Sequence, residues 1–363
     1  MVKRTTYFID VIRAIATISV IISHIVFMYY NGAAQSVFTY LLQPSENISG
    51  GGIERITEFL QGFSFGSFGV ALFYLVSGFC ICFSVEKRSF IKFWLHRLVR
   101  IYPVYCIGFG MVFIGILLYA NYYSRLGVQY SFNDYIVQIS LIRDWLWKPS
   151  IDGLSWTLET QLKIYFVISL IRASGTLDNY KGISITGIIC GVLALFFGVC
   201  ARKSFGSDLY PYAAFYTFSF GLVFCAFSMI GVCFYNYYLQ RWSDEEFAKS
   251  LLWCIIGISI AVLGGVLREQ ALSIFYGYGA AGVLFSVLFV MNPQKENKIV
   301  NIISKYSFSL YVVQGGCYMI MSIIDHSIGV CIYVNIIITF VVLFILAYFL
   351  YNVVEKNTAR IKI

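Results

Sequence analysis

The chain has 363 residues, of which 59% are hydrophobic and only 12% are charged, and its mean hydropathy is +0.78. Soluble domains average about 25% charged residues, so this composition excludes a soluble globular protein, a disordered chain and a disulfide-stapled secreted module. The formal net charge of +8 points to nucleic acid or anionic lipid as a partner until the basic residues are placed. We therefore expect a polytopic membrane protein.

Ten segments are long and apolar enough to cross a bilayer, which takes about 20 predominantly apolar residues. The first begins close to Met1 and is not followed by a small-residue cleavage site, so we expect an uncleaved anchor. We predict an all-α integral membrane protein in which residues 1–363 form one transmembrane domain without a separate soluble domain. The predicted spans are 8–30, 64–85, 101–121, 157–173, 183–200, 211–238, 250–267, 271–291, 299–321 and 330–353.

The distribution of basic residues predicts the orientation of these spans. With the N-terminus inside, 16 of the 26 Lys and Arg residues fall in inner segments, 7 in outer loops and 3 within spans or at their ends. Because cytoplasmic loops carry an excess of Lys and Arg, we expect both termini in the cytoplasm. Most of the positive charge is then explained by topology, and nucleic acid is not an expected partner.

The ten cysteines indicate neither disulfides nor a metal site. Most lie inside apolar runs, where a thiol behaves as a small hydrophobic group. Only Cys80 and Cys82 are close together, and no spacing matches a zinc or iron–sulfur signature.

The first span contains three ionisable residues, Asp10, Arg13 and His24. Such residues are costly inside a membrane and are candidates for function. Arg13 and His24 are eleven residues apart, which at about 100° per residue places them on one helix face, about 16 Å apart along the axis. A snorkelling arginine and a histidine bonded between helices would explain the same residues structurally, but the shared face favours function.

The loop between the second and third spans, VEKRSFIKFWLHRLVRIYP, is rich in basic residues. Arg97 and Arg100 are three residues apart on a predicted short helix, so they share a face. Guanidinium groups donate bidentate hydrogen bonds to phosphate, so the pair is suited to binding an anion. A positive-inside anchor at the lipid headgroups explains the same residues. Pro103 is expected to mark the start of the third span.

Two later segments also carry polar residues. DGLSWTLETQLKIYF, which enters the fourth span, contains Glu159 and Lys163 as an i,i+4 pair that would neutralise both charges. Trp156 in the same segment is also typical of an interfacial aromatic residue. The polar residues of the ninth span, which are typical of hydrogen bonds between helices, are Ser307, Ser309, Tyr311 and Gln314.

Taken in order, these segments resemble the acyltransferase-3 family of integral membrane acyltransferases, which includes bacterial O-antigen and capsule O-acetyltransferases. The first span resembles the family's R-x10-H signature through Arg13 and His24, with Asp10 in place. The other five blocks that resemble family motifs are FGVALFYLVSGF with Ser77, HRLVRIYPVY with Arg97 and Arg100, SWTLETQLKIYF, YSFSLYVVQ and NVVEK. The similarity runs from about residue 7 to residue 356, which is nearly the whole chain.

Three positions depart from the family pattern. The family's Glu in the Trp block falls on Gln161, its late His on Gln314 and its closing Pro on Asn357. Gln161 forms hydrogen bonds but cannot act as a carboxylate base, which puts proton transfer at that position in doubt. Glu159 lies two residues earlier and faces a different side of a helix from Gln161.

The resemblance implies that cytoplasmic acetyl-CoA, or another acyl-CoA, donates an acyl group to a hydroxyl of a lipid-linked oligosaccharide or surface polysaccharide. It implies a multi-pass protein of the bacterial inner (plasma) membrane, in contact with membrane lipids, that uses no metal. Arg97 and Arg100 would bind the donor phosphates, while Arg13 would neutralise a further phosphate or hold the carbonyl. The residues expected to bind substrate are Trp156, Glu159, Gln161, Ser77, Tyr311 and Gln314.

His24 carries the expected chemistry, with Asp10 and Arg13 on the same helix. A neutral imidazole is suited to act as general base toward a sugar hydroxyl near pH 7. Alternatively, His24 accepts the acyl group itself and passes it outward. The sequence leaves direct transfer and an acyl-histidine intermediate open.

Two other classes of protein fit part of the pattern. A transporter or flippase for a lipid-linked or anionic metabolite would also have ten spans and buried ionisable groups. Transporters often contain inverted repeats and helices broken by Gly or Pro, whereas the five prolines here lie at span ends or in loops. A catalytically inactive scaffold or acyl-dependent sensor is the second alternative, favoured by Gln161 and Gln314.

Overall fold

The computed structural model describes residues 6–30, 34–35, 38, 41–44, 64–123, 130–204 and 209–361. These residues form helices and short connections, with no strand among them. The predicted outer loop after the first span lies mostly outside the described residues. We number the helices of eight or more residues α1 Tyr7–Ile22, α2 Phe65–Glu86, α3 Phe90–Tyr123, α4 Phe132–Ile139, α5 Ser155–Ala173, α6 Tyr180–Lys203, α7 Leu209–Tyr238, α8 Asp244–Gly264, α9 Ala271–Met291, α10 Lys298–Val313, α11 Cys317–Ser327 and α12 Ile332–Leu350.

Several irregular segments extend or join these helices, among them the 3₁₀ turn Arg268–Gln270 between α8 and α9. A π-helical segment, Ser23–Tyr29, continues α1, and a second one, Tyr351–Glu355, continues α12 before a last turn at Lys356–Thr358. A 3₁₀ turn, Gln314–Gly316, joins α10 to α11. Single-turn π segments inside helices are rare and often mark functional sites, so the one after α1 draws attention to the residues it carries.

The prediction of a multi-span helical membrane protein is confirmed. Within the described residues, nine segments are long and apolar enough to cross a membrane, and α10 and α11 together make one of them, Lys298–Ser327. The fourth predicted span is the helix α5, which is too polar to satisfy the same criterion. It carries Glu159, Lys163 and Arg172 on 19 residues.

The start of the third span differs from the prediction. Pro103 lies inside α3, which begins at Phe90 and therefore includes Arg97 and Arg100 in the same continuous helix as the span. Proline removes one backbone hydrogen bond and clashes with the carbonyl four residues earlier, so it normally bends or ends a helix. Here the helix continues through it, and the two arginines are fixed to the membrane-spanning part.

The two described chain ends meet at one end of the bundle. Tyr7 at the start of α1 and Ala359 near the C-terminus line the same cavity. This arrangement is required if both termini lie on one side of the membrane. That the side is the cytoplasm stays a prediction from the basic residues.

The helices α2 and α7 form the centre of the bundle. In their most apolar stretches, 78% and 83% of the residues are buried. Glycines allow their backbones to touch: a Cβ on Gly78 would lie 2.2 Å from the Ser228 carbonyl oxygen, and one on Gly231 would lie 2.3 Å from that of Leu75. Small residues permit such close approach in membrane bundles. The contact fixes α2, which contributes several residues to the cavity.

Candidate functional site

A cavity of about 690 Å³ opens at the end of the bundle where α1 begins. This volume is typical of sites for small molecules and cofactors. The helices α1, α2, α3, α5 and α10 and the segment after α12 surround it. Its polar and ionisable lining residues include Asp10, Arg13, Ser77, Cys80, Arg97, Arg100, Gln161, Tyr165, Ser304, Lys305, Ser307, Tyr311 and Glu355.

Three arginines of the cavity lack a carboxylate partner. Among the described residues, no Asp or Glu oxygen lies within 4.0 Å of the guanidinium groups of Arg13, Arg97 or Arg100. Arg97 donates from Nη2 to the Ser84 hydroxyl at 2.6 Å, while its buried Nε has no hydrogen-bond partner among these residues. Arg13 and Arg97 are partly buried, whereas Arg100 is exposed. A partly buried cation without a paired carboxylate is costly, so Arg97 in particular favours an anionic ligand.

Two carboxylates of the cavity are bound by serines, and the third, Glu296, accepts a hydrogen bond from the Asn301 amide. The Ser304 hydroxyl donates to Asp10 Oδ1 at 2.6 Å, and the Ser309 hydroxyl donates to Glu355 Oε2 at 2.5 Å. The lining contains four cationic side chains (Arg13, Arg97, Arg100, Lys305) against three carboxylates (Asp10, Glu296, Glu355). The cavity is therefore mixed in charge, with its guanidinium groups left available.

Hydrogen-bonded side chains line the part of the cavity that lies deep in the bundle. The Gln161 amide donates to the Ser77 hydroxyl at 2.9 Å and to the Tyr165 hydroxyl at 2.7 Å. The Tyr311 hydroxyl donates to the Leu154 carbonyl at 2.6 Å and also contacts the Thr157 hydroxyl. Tyr311 is the last residue of α10 that lines the cavity.

His24 does not line the cavity and lies deeper in the bundle than Tyr311. The helix α1 runs beside α10 and α11. Asp10 contacts Ser304 and His24 contacts Tyr318, and both pairs differ by 294 in residue number, so the register between the helices is constant. The His24 and Tyr318 rings are 5.8 Å apart. Tyr318 follows Tyr311 by seven residues, so His24 lies about 10 Å beyond the Tyr311 level along the helix axis.

Two buried polar atoms near this level have no hydrogen-bond partner among the described residues. They are Nδ1 of His24, which is in the π-helical segment, and Nε2 of Gln314, which is in the 3₁₀ turn before Tyr318. An unsatisfied buried polar group costs about 1–3 kcal/mol. Such groups are rare in native structures and call for an explanation.

Trp156 and Glu159 also lie outside the lining of the cavity. Glu159 accepts two hydrogen bonds from Arg143, at 3.0 Å from Nε and 2.6 Å from Nη2. Lys163 pairs with Asp144. The expected i,i+4 pair of Glu159 with Lys163 is thus wrong, because the segment before α5 supplies a separate partner to each.

The structure brings together most of the residues that the sequence singled out. Those that line the cavity are Asp10, Arg13, Ser77, Arg97, Arg100, Gln161 and Tyr311, and those that do not are His24, Trp156, Glu159 and Gln314. Sequence reasoning missed Lys305, Ser304 and Glu355. Of these three, only Glu355 could have been found from the sequence, because it lies in the NVVEK block that resembles a family motif. Within the described part of the chain, no cluster of three His, Cys, Asp or Glu side chains is arranged to hold a metal ion.

Comparisons with known proteins identify the family of the chain. A family model described as an acyltransferase domain (acyltransferase-3) matches residues 6–358. Acyltransferase MdmB of Streptomyces mycarofaciens is 27% identical to the chain over 119 residues, which cover 31% of this chain and 30% of that protein. No solved structure gives a significant match.

Proposed function

The chain belongs to the acyltransferase-3 family and is an acyltransferase, and from that premise we propose that it moves an acetyl group from cytoplasmic acetyl-CoA to a hydroxyl of a lipid-linked or surface glycan. The observation that carries the proposal is the set of three cavity arginines without carboxylate partners. A polyanionic donor supplies the missing counter-charge. The resemblance of the motifs to bacterial O-acetyltransferases supports a glycan acceptor at the bacterial inner membrane.

The cavity residues fit the phosphates of a coenzyme A thioester. Arg97 and Arg100 project from one face of α3, and Arg97 Nε is a buried donor without a partner. Guanidinium groups bind phosphate through paired hydrogen bonds. Lys305, which also lines the cavity, adds a cation on the opposite helix α10. We assign these three residues to the donor.

The separation between Arg13 and His24 decides between two roles for Arg13. The two residues are eleven positions apart on one helix, about 16 Å along its axis. A group that holds the thioester carbonyl must lie within hydrogen-bond distance of the reacting atoms, close to the base that acts there. We therefore assign Arg13 to the donor, with Asp10 beside it, rather than to the carbonyl.

His24 is proposed as the base at the reacting centre. The acceptor hydroxyl attacks the thioester carbonyl, a C–O bond forms and the C–S bond breaks. The hydroxyl proton passes to the imidazole and then to the departing thiolate. A route through acyl-His24 has the same balance in two steps. In either route the donor's acyl end must reach deeper into the bundle than Tyr311, because His24 does not line the cavity.

The test uses purified protein, radiolabelled acetyl-CoA and envelope glycans that carry lipid anchors. The wild type is expected to transfer label to the glycan, and H24Q to transfer none while it still binds acetyl-CoA. H326Q is the matched control, because His326 lies in α11, where its ring bonds the Ser322 carbonyl, away from the cavity lining. Transfer by H24Q at the wild-type rate would overturn the role of His24. Absence of labelled glycan with the wild type would overturn the acceptor class.

A further inference from the structure

A row of aromatic rings follows one face of α7 toward the cavity. Tyr212, Tyr216, Phe220 and Phe224 are spaced four residues apart, and successive ring centroids are 6.0, 6.0 and 4.9 Å apart. Residues four apart on a helix lie on the same face. From Tyr212 to Phe224 the row advances by twelve positions, which is about 18 Å along the helix.

The row is continued at both ends. At the end remote from the cavity mouth, the Trp147 ring lies 5.4 Å from the rings of Tyr212 and Tyr216. At the other end, the Phe224 ring lies 5.1 Å from that of Tyr74, which lines the cavity. The aromatic row therefore leads from the far end of the bundle to the deep part of the cavity.

Most of these rings are partly exposed, although α7 is a central helix. Four of the rings are half-buried: Trp147, Tyr212, Tyr216 and Phe220. By contrast, 83% of the residues in the most apolar stretch of α7 are buried. Trp156 of α5 is also half-buried, with its ring 5.5 Å from that of Phe220. These five rings thus present accessible surface, whereas Phe224 and Tyr74, where the row reaches the cavity, are buried.

A charged pair lies alongside the row. The Thr217 hydroxyl donates to the Asp144 carbonyl at 3.2 Å, and Asp144 pairs with Lys163 through side chains that are 17% and 19% exposed. Gly221 leaves room for this lysine, because a Cβ there would come within 2.7 Å of Lys163 Cδ. Partly exposed donors and acceptors therefore stand next to the rings.

We propose that the aromatic row is a binding track for the sugar rings of the acceptor. A sugar has apolar C–H faces for aromatic rings and hydroxyls for the Asp144–Lys163 pair. Tyr and Trp combine an apolar body with a polar group, so they match such a ligand. A hydrocarbon chain would leave the charged pair without a role. This inference rests on the proposed function, because it names where the glycan of that reaction lies.

The experiment measures binding and transfer separately on the full-length protein. Two probes are compared, a polyprenyl-pyrophosphate-linked disaccharide and the same polyprenyl pyrophosphate without sugar. Y216A is expected to weaken disaccharide binding by about two- to tenfold, which corresponds to the roughly 0.5–1.5 kcal/mol of an aromatic contact. Binding of acetyl-CoA and of the sugar-free lipid is expected to be unchanged.

The control is Y276A, because Tyr276 on α9 is 66% exposed and lies outside both the row and the cavity lining. F220L, which keeps an apolar side chain, is the second variant and guards against misfolding of Y216A. Equal weakening of both lipids by Y216A would assign the row to the hydrocarbon chain and overturn the proposal. Unchanged disaccharide binding in both row variants would overturn it as well. Failure of the wild type to transfer acetyl would count against the proposed function alone, since the binding comparison does not depend on catalysis.

Discussion

Breaking the Arg143–Glu159 pair separates a structural role of Glu159 from a role at the acceptor. The two hydrogen bonds between these side chains are 3.0 and 2.6 Å long, and the side-chain exposures are 9% for Arg143 and 0% for Glu159. Removing one partner of a buried pair leaves an uncompensated charge and costs about 3–5 kcal/mol. We expect E159Q and R143M each to lower the free energy of unfolding by about that amount.

The double variant R143M/E159Q supplies the decisive comparison. It leaves no unpaired charge, and replacing a buried ion pair by neutral groups is often close to neutral. We therefore expect it to be more stable than either single variant. The assay is denaturant unfolding in mixed micelles, with K249M as the control. That variant breaks the exposed Glu245–Lys249 pair on α8, so little change in the free energy of unfolding is expected.

Acetyl transfer by these variants completes the test. If Glu159 only supports the fold, the double variant transfers acetyl at nearly the wild-type rate below its unfolding temperature. The reasoning fails if E159Q and the double variant are as stable as the wild type and yet transfer no acetyl. That result would return Glu159 to the acceptor site, as the sequence first indicated.

Two further predictions follow from the cavity and from the bundle centre. Replacing Arg97 and Arg100 with Ala is expected to raise the KM for acetyl-CoA at least tenfold, since hydrogen bonds to charged groups contribute about 1.5–3 kcal/mol each. K92A, on the exposed part of the same helix, should leave this KM unchanged, and equal values for both variants would identify the arginines as topology anchors. G231A is expected to destabilise the protein, because its Cβ would meet the Leu75 carbonyl oxygen at 2.3 Å. G279A, with nothing within 4 Å of the new Cβ, should not lower the thermal unfolding temperature; similar values for the two variants would refute the packing argument.

The sequence alone determined the class of the molecule and most of the polar cavity. Apolar runs of span length fix a helical membrane protein, because only satisfied backbones cross a bilayer. Ionisable residues inside those runs mark functional candidates, because membranes make them costly. Asp10 and Arg13 were found in this way, whereas Arg97 and Arg100 were found as a pair on one face of a predicted loop helix. All four line one cavity.

Tertiary structure decided the residues whose meaning depends on a distant partner. Glu159 and Lys163 are one turn apart, and local spacing paired them with each other. The chain instead brings Arg143 and Asp144 to them from the segment before α5. Local periodicity cannot reveal such partners, because they are set by how a connection folds back on its helix.

The position of His24 relative to the cavity was also decided by the fold. Periodicity placed His24 and Arg13 on one face of the first span, and the structure places His24 in the π-helical segment that continues α1. The extent of the cavity depends on other helices. On α10 its lining ends at Tyr311, whose hydroxyl donates to the Leu154 carbonyl. A face is a property of one helix and follows from its sequence, whereas a cavity is the space that several helices leave between them.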